Sequence, residues 1–127
     1  MKVTKSIDLG YATMHMRSDG ILVFTPRPNL DKLKMEQLNE IFKTAMQLTE
    51  KKPSLLYVDT IKQVNLTDEE KNMVNNSLKT LIRACAIKVE NPVVRFLIHS
   101  FNYLFQPPTP IKVFSNKEEA IKWLKTF

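Results

Sequence analysis

The hydrophobic period of this chain keeps changing between two residues and three to four, and that alternation limits the fold more than any other feature. Tyr11 to Met16 and Ile21 to Thr25 read as two strands, and Ser18-Asp19-Gly20 between them signals the turn of a hairpin. Residues near Ser6 to Leu9 read as an extension of the first strand, and Pro26 and Pro28 break the pattern. From Asp31 to about Glu50 the period is helical. Leu38, Ile41, Phe42, Ala45, Met46 and Leu48 share one arc, opposite Lys32, Glu36, Asn39, Lys43 and Gln47. Leu55-Leu56-Tyr57-Val58 is apolar at successive positions, which suits a strand covered on both faces.

Capping signals mark the rest. Thr67 and Glu70 form a capping box for a helix to about Lys79, and Asp68, Glu69 and Glu70 also suit its dipole. Leu81 to Val89 reads as a strand. Asn91 and Pro92 open a helix to about Phe105, which Pro107, Pro108 and Pro110 follow with an extended connection. Ile111 to Phe114 is a last strand. Ser115 and Glu118 read as a second capping box, for a helix held to the sheet by Ala120 and Trp123, with Leu124 and Phe127 on the same side. The order β-β-α-β-α-β-α-β-α implies an α/β fold. Its sheet is mixed and largely parallel, with about five strands, an N-terminal hairpin at one edge and about four helices.

At 127 residues one domain, 1–127, is expected. Hydrophobic residues at 43% and charged residues at 25% are ordinary for a globular domain. The two glycines, Gly10 and Gly20, exclude a dinucleotide fingerprint and a P-loop. Cys85 is the one cysteine, so an intramolecular disulfide is excluded. Met1 to Gly10 lacks the apolar core of a signal peptide, and no apolar run approaches the ~18 residues of a membrane span. A cytoplasmic location follows as the expectation. The net charge of +6 comes from 19 basic and 13 acidic residues, but the basic residues are scattered, so no specific nucleic-acid binding is expected.

Ala84-Cys85-Ala86-Ile87-Lys88-Val89, followed by Asn91-Pro92-Val93-Val94-Arg95-Phe96, resembles small bacterial proteins of the STAS/CRAL-TRIO-like group, relatives of the anti-sigma-factor antagonists. So does the ending, Pro110-Ile111-Lys112-Val113-Phe114 with Glu119-Ala120-Ile121-Lys122-Trp123-Leu124. The resemblance implies a STAS-like fold and a role in protein–protein regulation, or, on its CRAL-TRIO side, carriage or sensing of a small apolar ligand. In anti-sigma antagonists a phosphorylated hydroxyl residue follows a strand at a helix N-terminus. The resemblance therefore implies a phosphorylation or anion site at Asp59 and Thr60. The following Ile61 to Leu66 is longer than the family's tight Ser-Gly-Leu connection and has no glycine. Asp59 and Thr60 also fit a local role, satisfying the loop backbone.

The residues themselves point to binding rather than catalysis. His15 and His99 have no ligand-type partner at helical spacing, so no metal and no cofactor is expected. No nucleophile–base pair is legible, so an enzyme is not expected. On the helix from Pro92, Arg95, His99, Asn102 and Gln106 form a polar stripe with Phe96 and Tyr103 beside it. Those rings fit three roles: packing under the proline-rich loop, lining an apolar pocket, or forming an interaction surface of Arg95, Phe96, His99 and Tyr103. The last would serve a protein partner or a homodimer.

Overall fold

A computed structural model describes residues 6–28, 30, 32–61, 66–96, 98 and 109–127. The strands are β1 (Ser6–Asp8), β2 (Ala12–Met16), β3 (Ile21–Pro26), β4 (Ser54–Val58), β5 (Ile82–Lys88) and β6 (Ile111–Phe114). They lie in that order in one sheet. β1–β2–β3 are antiparallel, and β3 to β6 are parallel. The helices are α1 (Met35–Thr49), α2 (Asp68–Leu81), α3 (residues 92–96 and 98 among those described) and α4 (Lys117–Leu124). The fold is mixed α/β with a largely parallel sheet, as its sequence implies.

The positions of the two glycines explain the antiparallel edge. Gly20, at φ +86°, donates to the Arg17 carbonyl at 3.0 Å and closes a three-residue hairpin loop in the left-handed region. Gly10, at φ +92°, reverses the chain a second time. Ser6 to Asp8 therefore form a separate strand against β2 rather than its extension, and the sheet has six strands.

The parallel strands bury both faces, which is why they read as apolar runs. One face, here the front, holds Met14, Leu22, Phe24, Leu56, Val58 and Cys85 under α1 and α2. The back holds Ile21, Val23, Leu55, Tyr57, Ala84 and Ala86, and α4 lies on β4, β5 and β6 there. β5 and β4 slip by one residue between Ser54 and Leu55, a bulge that leaves Arg83 exposed.

Several helix ends depart from expectation. α1 begins at Met35, later than Asp31, and ends with Glu50 and Lys51 left-handed at φ 55° and 63°. Its buried stripe takes Leu38, Ile41, Ala45 and Leu48 with Thr44 and Thr49, whereas Met46 is exposed. Thr49 is accommodated by donating Oγ1 to the Ala45 carbonyl at 2.7 Å. The box at α2 forms: Glu70 N donates to Thr67 Oγ1 at 3.1 Å and Thr67 N to Glu70 Oε1 at 2.8 Å. At α4 the cap is Asn116, not Ser115, accepting from Glu119 N at 2.9 Å. Ala120, Ile121 and Leu124 anchor that helix; Trp123 sits at its edge between the rings of Phe114 and Phe127, at 5.8 and 4.9 Å.

Candidate functional site

The front layer is incompletely filled. Between the sheet and α1 and α2 lies a half-open cavity of about 750 Å³, within the ~300–1,000 Å³ of small-molecule sites. Its floor is Leu22 and Phe24 of β3, Leu56 and Val58 of β4, and Cys85 of β5. α1 gives it Leu38, Ile41 and Ala45, residues three or four apart on one helical face. α2 presents Lys71, Val74, Asn75 and Leu78, the same spacing with a polarity gradient from its polar first turns to its apolar end. Ile98 of α3, buried, closes another part of the wall.

Polar lining gathers where β3 and β4 end: Thr25 in the last residues of β3 and Arg27 just after it, Asp59 and Thr60 just after β4. Asp59 N donates to the Phe24 carbonyl at 2.8 Å, which ties the two strand ends together. Asp59 Oδ1 accepts from Tyr57 Oη and from Thr60 Oγ1, each at 3.0 Å. Burial, then the Asp59 hydrogen bond and charge, hold the Tyr57 phenol well above its usual range. Thr60 has φ 59°, a conformation that costs a β-branched residue ~1–3 kcal/mol. Sequence reasoning placed Asp59 and Thr60 together but missed Tyr57; the alternation that puts it on the back face gave no sign of the shared carboxylate. α2 begins at Asp68, well beyond Thr60.

The cations of the rim are set by acids from other elements. Lys32 Nζ lies 2.8 Å from Glu70 Oε1, joining the segment before α1 to the first turn of α2. Lys32, and then the Thr67 amide, hold the Glu70 carboxyl below its usual range. Arg27 donates Nε to the Gly10 carbonyl at 3.2 Å and Nη2 to Asp8 at 2.8 Å. Cys85 is fully buried in the cavity floor, and burial pushes its thiol up to about 12, so it stays protonated. His15 alternates with Met14 and so stands on the opposite face from Cys85. Burial, then Lys117 and Arg17, lower its pKa. Among the described residues no group of three His, Cys, Asp or Glu could hold a metal ion.

Of the other expected surface, Phe96 and Val93 are 68% and 66% exposed. Arg95 is half-buried, and its Nε has no hydrogen-bond partner among the described residues. His99 and Tyr103 lie outside the described residues.

A sheet of this order, with helices on its front and a last helix behind, can be compared with known proteins. A family model described as a domain of unknown function, DUF7793, matches residues 14–127. The chain belongs to the DUF7793 family. A search of curated proteins finds no match. Among solved structures, this DUF7793 chain resembles an uncharacterized protein of the DUF3478 family with a SpoIIAA-like fold from Shewanella loihica PV-4. The TM-score is 0.63 at 16% identity, over 98% of this chain and 97% of that one. The DUF7793 chain thus has a SpoIIAA-like, that is STAS-like, fold. Among the described residues no helix is long and apolar enough to cross a membrane.

Proposed function

We propose that this protein works by binding, without catalytic turnover, and that the front cavity carries or senses a small apolar ligand. The cavity is the observation that supports the reading. A half-open cavity of about 750 Å³ lies within the ~300–1,000 Å³ of small-molecule sites, and its walls, mostly Leu, Ile, Val and Phe side chains, favour an apolar occupant. Nile red added to the purified chain tests this. One dye per chain should brighten, and Ala45→Trp should abolish the signal while the chain stays folded. A chain that does not brighten the dye refutes the carrier reading.

The exposure of Val93 and Phe96 favours a second reading, in which α3 contacts a protein partner or a second copy of this chain. Under it, wild type sediments as a dimer or captures a partner at micromolar concentration, and Phe96→Asp gives a folded monomer. A monomeric wild type with no partner refutes it.

A further inference from the structure

The cavity is not uniform, and the side chains at its polar end are informative about what would sit there. Among the described residues four charged side chains line it, the cations Arg27, Lys32 and Lys71 and the single acid Asp59. Asp59 is already solvated from within the fold, since one of its oxygens accepts from both Tyr57 and Thr60. Arg27 and Lys32 are held by Asp8 and Glu70, neither of which lines the cavity. Those ion pairs hold the two cations at the solvent-exposed rim of the cavity, with side chains 45% and 37% exposed, so its described lining carries three cations against one acid. The opposite end, around Leu22, Leu56, Ala45 and Leu78, carries no charge.

Resting on the reading of the cavity as a ligand site, we infer that its ligand is a single-chain amphiphile with an anionic head. The head, a carboxylate or phosphate, sits by Arg27, Lys32 and Lys71, and the tail runs along the α1 and α2 stripes. A neutral alcohol of the same tail would forgo the charge-assisted hydrogen bonds and so bind roughly tenfold more weakly. A cationic head would face like charges.

The test is displacement of Nile red from the full chain by four compounds with one tail: dodecanoate, dodecyl phosphate, dodecanol and dodecyltrimethylammonium. At least one anion should displace the dye at roughly tenfold lower concentration than dodecanol, with the ammonium weakest. Comparing the two anions then assigns the head as carboxylate or phosphate. Lys71→Gln should weaken the preferred anion severalfold and leave dodecanol unchanged, and Lys71→Arg should restore it. If dodecanol competes as well as both anions, the head is not anionic and the cavity reading stands. If none displaces the dye, or no dye binds, the ligand site itself is refuted and this inference falls with it.

Discussion

The two faces of this sheet are built to different tolerances. Behind it, α4 presses Ala120 against Ala84 and Ala86, and all three are fully buried, as is Leu124. Small residues on both sides let helix and sheet approach closely, leaving little slack for a change of volume. In front, α1 and α2 carry larger side chains, yet a cavity of about 750 Å³ remains between them and the strands. One layer is therefore a fastening and the other a container. Stability should be more sensitive on the back, and binding on the front.

The largest effect that would sharpen this contrast is truncation behind the sheet. Leu124→Ala should cost ~2–5 kcal/mol in chemical denaturation, because a fully buried leucine leaves a void in a tight layer. Trp123→Ala should cost less, since that ring is only half-buried at the helix edge. A larger loss for Trp123 than for Leu124 would move the anchor of α4 to its rim.

Overpacking comes next and separates the faces directly. Ala120→Leu should destabilise by ~1–3 kcal/mol, whereas Ala45→Leu, which extends into the cavity, should be neutral or stabilising. Equal losses at both alanines would show that the front is as tightly filled as the back.

Backbone strain at the cavity rim is smaller. Thr60→Gly should raise the unfolding free energy by up to ~1 kcal/mol, read as a higher denaturation midpoint, because glycine adopts the left-handed conformation without the side-chain clash. Thr60→Ala, which keeps a Cβ, should not. If glycine destabilises more than alanine, the Thr60 to Asp59 hydrogen bond outweighs the strain.

The smallest effects come from pH. The folded pKa of His15 is depressed, so its contribution is present above the ordinary histidine value of ~6.5 and declines as pH falls through it. The depressed carboxyls of Glu70 and Asp8 act likewise: stability is present above ~4–4.5 and is lost as pH falls below. His15→Gln should flatten the limb between about pH 7 and 5 and leave the lower limb in place. An unchanged upper limb would assign it to other groups.

Much of this architecture is determined by local pattern. Proline and capping residues punctuate the chain, and period separates strand from helix. Thus Thr67 and Glu70, Asn91 before α3, and the β4 run Leu55 to Val58 lie where elementary chemistry puts them. The apolar face of α1 was equally legible as a stripe, and the fold sets the apolar end of α2 opposite the sheet beside it. Tertiary structure alone decided what they enclose. Period states which side of a helix is apolar, but the distance between two such sides depends on how the elements stack. The same Ala45 that reads as a core residue therefore lines a cavity, whereas Ala120 closes a tight seam. Nor could local pattern show that Gly10 turns Ser6 to Asp8 into a sixth strand, or that Lys32 meets Glu70 from a distant segment. Both are contacts between residues far apart in sequence, fixed only when strand pairing and helix packing bring their backbones together.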